Sequence, residues 1–181
     1  MLFAEKTILL KDGRTAILRS PKTEEAAEML VFHQTICSET DFVLRNAEEC
    51  TETVEQEAAF LDGLNQSATN MMIVCEIDGE IAGNCHLGIL KRQKVCHRGN
   101  VAIGLLRKYW NLGIGTALFR EMIAVARANG VTQLELEFIE GNERGRALYE
   151  KMGFRVFAER PDAYCLKDGS MRKECMMMLK L

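Results

Sequence analysis

Proline is nearly absent, with two in 181 residues, and no tract of low complexity breaks the chain. Together with a hydrophobic share of 48%, this excludes a disordered linker or a proline-rich scaffold. No apolar run approaches membrane-spanning length, and no charged segment leads into an apolar stretch at the start. The expectation is a soluble, cytoplasmic protein without a membrane partner. A basic excess is missing too: the net charge of −3 offers no general attraction to nucleic acid or anionic lipid. The seven cysteines (37, 50, 75, 85, 96, 165 and 175) are odd in number and show no CxxC spacing, which fits free thiols in a reducing compartment. Cys85-His86 and Cys96-His97 fall in stretches that read as strands, where adjacent side chains face opposite ways. Neither pair can easily serve one ion, and no metal is expected.

What is present is ordered punctuation over the length of one domain, residues 1–181. Lys11-Asp12-Gly13-Arg14 between Thr7–Leu10 and Thr15–Leu18 predicts a hairpin, because Asp-Gly readily takes positive φ. Thr23 reads as an N-cap for a helix through His33, and Thr51 as a cap for a second helix through Leu61. Glu48, Glu49, Glu52, Glu55 and Glu57 gather near that second helix and read more readily as a solvated face than as a binding surface. Strands are expected over Met71–Ile77, Ile81–Leu90, Cys96–Leu105, Leu134–Phe138, Phe154–Ala158 and Glu174–Leu181. Leu134, Leu136 and Phe138 alternate with Glu135 and Glu137, which places the two carboxylates on the opposite face. Mixed strands and helices make this an α/β or α+β protein.

The most informative stretch joins the apolar strand Val101-Ala102-Ile103-Gly104-Leu105 to a helix over about Gly113 to Asn129. The linking turn runs Arg107-Lys108-Tyr109-Trp110-Asn111-Leu112-Gly113-Ile114-Gly115-Thr116. Glycines at a helix start let a ligand approach the main chain, and the first helical turn leaves N–H donors without internal partners. Such donors, at the positive end of the helix dipole, suit a phosphate. A Walker loop is excluded, since no Lys-Ser/Thr follows Gly115. A dinucleotide fingerprint lacks its third glycine, although Glu135 or Glu137 stands at the ribose-binding distance.

Downstream, Asn142-Glu143-Arg144-Gly145-Arg146-Ala147-Leu148-Tyr149-Glu150-Lys151-Met152-Gly153-Phe154 resembles the Asn...Leu-Tyr-Glu-Lys-x-Gly-Phe signature of the GNAT N-acetyltransferase superfamily. The upstream turn is similar to that family's acyl-CoA diphosphate loop, Gln/Arg-x-x-Gly-x-Gly/Ala, with Trp110 where Gln or Arg is usual. Tryptophan there also resembles the branch containing ribosomal-protein N-terminal acetyltransferases. The similarity extends from about Ile73 to Phe157.

The resemblance implies a GNAT-like mixed, splayed β-sheet flanked by helices, with acetyl-CoA entering between the family's fourth and fifth strands. It implies transfer of an acetyl group to a primary amine, on a small molecule or peptide, by direct attack in a ternary complex. Tyr149 matches the acid that protonates the departing thiolate. Backbone donors near Ile103, Gly104 and Leu105, freed by a bulge, are implied to polarise the thioester carbonyl. Trp110, Asn111, Leu112, Gly113, Ile114, Gly115 and Thr116 form the diphosphate loop, and Asn142 holds the pantetheine arm. Arg107, Lys108, Arg146 and Lys151 are candidate phosphate contacts. Asn100 stands where some relatives carry a glutamate base, leaving Glu135, Glu137, His97 or solvent for that role. The loop from Pro161 to Ser170 is expected to help build the acceptor pocket. The alternatives are an acyl-CoA sensor without catalysis and a dinucleotide-binding protein; a homodimer is compatible with the resemblance, though no segment specifies one.

Overall fold

The computed structural model describes residues 1–181. The Asp12-Gly13 turn forms as expected: Gly13 takes φ +88°, and the Asp12 carboxylate accepts from the Arg14 backbone N–H. It joins β1 (Lys6–Leu9) to β2 (Thr15–Arg19) in antiparallel register. Ala16 and Leu18 point into the core, and Arg19, also buried, bridges Glu25 and Glu76.

Helix α1 (Ala26–Glu39) buries Ala26, Met29, Phe32 and Ile36, a helical spacing that turns one face to the sheet. It begins later than Thr23, which lies in a single 3-10 turn over Thr23–Glu25. The capping acceptor there is the Glu25 carboxylate, which takes the Lys22 N–H at 2.9 Å. Helix α2 (Val54–Gln66) is capped by Thr53 and not by Thr51. Thr53 Oγ1 accepts from Gln56 N, and Gln56 Oε1 accepts from Thr53 N, a reciprocal pair that Thr51 has no partner to make.

Strands β3 (Asn70–Ile77) and β4 (Glu80–Ile89) meet at Asp78-Gly79, both at positive φ, the geometry a two-residue hairpin turn requires. Strand β5 (Arg98–Leu105) starts later than expected, because residues 92–98 close two successive turns. Cys96 and His97 therefore lie outside the sheet, with Cys96 exposed, while Cys85 and His86 occupy opposite faces of β4. Helix α3 (Ile114–Ala128) buries Ile114, Leu118, Phe119, Met122 and Ala126, and the chain leaves it through Gly130 at φ +75°.

Strand β6 (Gln133–Ile139) and helix α4 (Glu143–Lys151) follow, the latter stopped by Gly153 at φ +95°. Strand β7 (Arg155–Cys165) runs well past the expected Ala158, and β8 (Met171–Lys180) begins before Glu174. Much of the expected Pro161–Ser170 loop is thus β-structure. Proline is tolerated because β7 is an edge strand and its register shifts between Arg160 and Tyr164.

The eight strands form one sheet in the order β1-β2-β3-β4-β5-β6-β8-β7. Every neighbouring pair is antiparallel except β5 and β6, which run parallel. That exception positions everything that follows. The β5–β6 pairing covers only Arg98–Asn100 against Gln133–Glu135. Beyond Asn100 the two strands part, opening a wedge in the middle of the sheet.

Candidate active site

The wedge opens into a cavity of about 1080 Å³. On its β5 side, the Leu106 N–H bonds to the Ala82 carbonyl, toward β4. Strand alternation then turns the amides of Val101, Ile103 and Leu105 the other way; the Asn100–Glu135 pairing still takes that of Val101, and β6 no longer receives those of Ile103 and Leu105. Pairing of β5 with β4 is unbroken from Gly99 to Leu105. The expected bulge is therefore absent, and divergence of β6 is what leaves these donors unpaired. Gly104 admits α1: a Cβ there would lie 2.7 Å from the Ile36 side chain.

At the far end of β5 the connecting turn is held in several ways. Trp110 Nε1 donates to the Leu105 carbonyl at 2.9 Å, while the guanidinium groups of Arg107 and Arg144 lie over its ring at 5.6 and 4.7 Å. Asn111 at φ +67° and Gly113 at φ +96° curl the main chain into α3, and the Asn111 side chain accepts from Arg144 at 2.6 Å. No side chain caps α3, so the N–H groups of Ile114, Gly115 and Thr116 open its N-terminus as an anion cradle. Gly115 has a packing role beside this one. Its added Cβ would stand 2.8 Å from Leu148 Cδ2, so glycine lets α4 lie against the start of α3.

The cations around the cradle differ from those expected. Lys108 pairs with Glu80, Arg107 binds Glu39, and Arg146 pairs with Glu150 outside the cavity. Lys151, Arg144 and Lys11 do line it, with Lys151 Nζ 3.2 Å from Thr116 Oγ1. Lys11 makes no ion pair; it comes from the β1–β2 hairpin, whose main chain is tied to the turn by Lys11 N donating to the Leu112 carbonyl at 3.1 Å. No local motif marks Lys11. Leu112 and Ile114 do not line the cavity, and Ile114 is buried in the core, so only their main chain is available to a ligand.

Tyr149 projects from α4 into the same cavity, its ring packed edge-on to Phe119 at 5.7 Å and tilted on Phe138 at 5.8 Å. Burial pushes its phenol up to about 12. It therefore stays protonated at neutral pH, and its hydroxyl has no hydrogen-bond partner in the protein. Asn142 lines the cavity as well, and its Oδ1 caps α4 by accepting from Gly145 N at 2.9 Å, which leaves its amide nitrogen free.

The base candidates separate cleanly. Glu135 is held by Arg98 through two 2.6 Å contacts that keep its carboxyl below the ordinary range. His97 lines a separate hollow with Asn129 and Gly130. Glu137 faces the main cavity, and burial, with the nearby Glu174 carboxylate second, raises its carboxyl above the ordinary range. Tyr164, inside the Pro161–Ser170 segment expected at the acceptor pocket, lines the same end and donates to Glu174 at 2.8 Å. The opposite wall comes from Thr40, Phe42, Val43 and Leu44. The glutamates around α2 line no part of the cavity: Glu48 pairs with Lys167, Glu52 with Arg45, and Glu57 is buried near His33.

Comparison with known proteins follows the same lines. The model of the acetyltransferase (GNAT) family matches residues 40–154. Among solved structures, an acetyltransferase of the GNAT family from Streptococcus pneumoniae is 26% identical with a TM-score of 0.86, over 92% of this chain and 99% of the other. The Salmonella typhimurium protein yncA, solved with its cofactor acetyl-CoA, is 18% identical with a TM-score of 0.78, over 91% and 92%. The ribosomal-protein-alanine N-acetyltransferase from Brucella melitensis is 21% identical with a TM-score of 0.78, over 91% and 99%. A search of curated proteins returns no match.

Proposed function

The chain belongs to the GNAT acetyltransferase family, and on that premise we propose that it transfers the acetyl group of acetyl-CoA to a primary amine within a ternary complex. One observation carries the reading. A single cavity holds the uncapped start of α3 at one end and a protonated, unpartnered phenol and an unpaired carboxylate elsewhere along it. Acetyl-CoA, when bound, supplies an activated acyl group and a thiolate leaving group.

The residues present fit that cosubstrate. The amides of Ile114, Gly115 and Thr116, with Leu112 and Gly113 shaping the turn, offer donors to a diphosphate, and Lys11, Arg144 and Lys151 add positive charge. Trp110 and Asn111 hold the turn in place. The β5 amides of Ile103 and Leu105 donate into the wedge, and Gly104 between them keeps the strand close to α1. Backbone donors fixed in advance, where water is excluded, stabilise developing charge on a carbonyl oxygen without reorganising. Asn142 keeps an amide N–H for the pantetheine arm, while Arg146 takes no part.

Glu137 accepts the proton that an ammonium group must lose, and its raised pKa brings it closer to working pH. Tyr149 holds a proton at Oη for the departing sulfur. The dinucleotide reading loses Glu135, which Arg98 occupies.

The test is thiol release from acetyl-CoA across polyamines, amino acids, aminoglycosides and N-terminal peptides. Amine-dependent release supports the proposal. Saturable acetyl-CoA binding without release from any amine favours the sensor; NAD binding without coenzyme A binding refutes both.

A further inference from the structure

The sulfurs of Cys37, in the last turns of α1, and Cys50, just past a 3-10 turn at Ala47–Glu49, are 3.6 Å apart. Both are half-buried, and no other two thiols in the chain make such a contact. Between them lies the segment that supplies Thr40, Phe42, Val43 and Leu44 to the cavity wall. The Phe42 ring reaches across to the β6–α4 turn, where a Cβ at Gly141 would lie 3.6 Å from it. The segment is tied by Glu39, which accepts from Arg107 N at 2.7 Å, by Val43 packed on the core, and by exposed ion pairs of Glu48 with Lys167 at 2.8 Å and Arg45 with Glu52 at 2.7 Å. Such pairs hold a loop weakly.

We propose that Cys37 and Cys50 form an oxidisable dithiol, a modification site whose disulfide ties together the two ends of the acceptor-side loop and restrains it. The reactant is a two-electron oxidant, either hydrogen peroxide or a low-molecular-weight disulfide. With peroxide, the Cys50 sulfur gives up its proton and attacks one oxygen. The O–O bond breaks, and water leaves. The Cys37 sulfur then attacks the resulting sulfenic sulfur, the S–O bond breaks, and a second water carries off the Cys37 proton. Two thiols and one peroxide yield one disulfide and two waters. With a small disulfide, two successive exchanges yield two small thiols.

The division of labour follows the surroundings. Burial first, and contact with Cys50 second, push Cys37 up to about 11, so it keeps its proton until the second step. The Arg45 guanidinium, from the loop itself, acts on Cys37 in the opposite direction and is outweighed. A disulfide bond of about 2.05 Å requires the sulfurs to close by about 1.5 Å, a shift that side-chain rotation and an irregular segment can absorb. Reversible pairs of this kind are the form in which disulfides occur in reducing compartments.

The thiol chemistry stands apart from the proposed acetyl transfer; only its effect on amine use rests on that reading. The test treats the full chain with peroxide or glutathione disulfide, alkylates the remaining thiols and maps peptides. A Cys37–Cys50 linked peptide is expected, and recovery of both as separately alkylated or glutathionylated residues overturns the proposal. Tryptic cleavage after Arg45 should slow about fivefold on oxidation, recover with dithiothreitol and be insensitive to peroxide in Cys50→Ser. Unchanged cleavage of the cross-linked chain overturns the claim that the loop is restrained. Oxidation should also lower kcat/KM for the amine while acetyl-CoA affinity holds; an unaltered kcat/KM in the cross-linked enzyme overturns the link to acceptor use. If no amine is turned over, the peptide map and the proteolysis still decide the thiol proposal.

Discussion

Replacing Tyr149 with phenylalanine removes one hydroxyl and leaves the ring where it is. The contacts with Phe119 and Phe138 are made by ring carbons, so they survive. No protein hydrogen bond is lost, because burial alone accounts for the raised phenol. Folding stability should move by no more than about 0.5 kcal/mol, whereas Tyr149→Ala, by emptying the same space, should cost about 3–5 kcal/mol. Turnover should respond quite differently. A positioned acid contributes on the order of 10²–10⁴ in rate, and a thiolate, as a weak base, needs the low end of that range. We expect kcat of Tyr149→Phe to fall about 10²-fold, equivalent to about 2.7 kcal/mol in the barrier. The acetyl-CoA Kd, measured by calorimetry, should stay within about twofold, since the hydroxyl serves the leaving group and not the bound ground state. A phenol raised to about 12 remains protonated from pH 7 to 9, so Tyr149 contributes no falling limb there. Wild-type and variant profiles should then be parallel, with the variant lower. Unchanged kcat in a folded variant refutes the acid role, and a weakened Kd with unchanged kcat identifies Tyr149 as packing only.

Other substitutions test the remaining parts of the site. Glu137 must be ionised to accept a proton and its carboxyl is raised, so kcat/KM should climb with pH through a value above the ordinary glutamate range. Glu137→Gln should flatten that limb and lower kcat/KM by roughly 10–100-fold, while a Glu135→Gln profile keeps the limb. Lys11→Ala and Arg144→Ala should each weaken acetyl-CoA binding about three- to tenfold, less at high salt, and Arg146→Ala should leave the calorimetric Kd unaltered because its side chain faces Glu150. Gly115→Val should cost about 1–3 kcal/mol in urea unfolding by driving Cβ into Leu148, with Leu148→Ala in the same chain restoring part of the loss; strictly additive losses would refute the contact.

What could be read in advance divides by sequence distance. The Asp12-Gly13 turn, helix α3 after the glycine turn and the alternation of β6 are each written within a few consecutive residues, and each forms as expected. The cap of α2 is equally local, since Gln56 three positions after Thr53 marks the capping box, a partner that Thr51 lacks. Charge assignments failed where a partner comes from elsewhere in the chain. Glu135 is committed by Arg98, 37 positions away, and Lys108 by Glu80, 28 positions away. Lys11 reaches the diphosphate turn only because its hairpin bonds to Leu112. The uncapped start of α3, proposed as the phosphate end, was therefore legible, because main-chain donors at a helix start are a property of a short segment. The opposite end was legible only in pieces: Glu137 stood among the base candidates and Tyr164 inside the Pro161–Ser170 segment, Phe42 carried no mark, and only the closed sheet brings the three to one cavity. In the proposed reaction, cosubstrate binding rests on local backbone geometry that many side chains leave intact, whereas the choice of amine rests on side chains that any one of three segments can change. Substitutions along 40–44 should consequently shift acceptor preference without altering acetyl-CoA affinity, and the two halves of the site are free to vary separately.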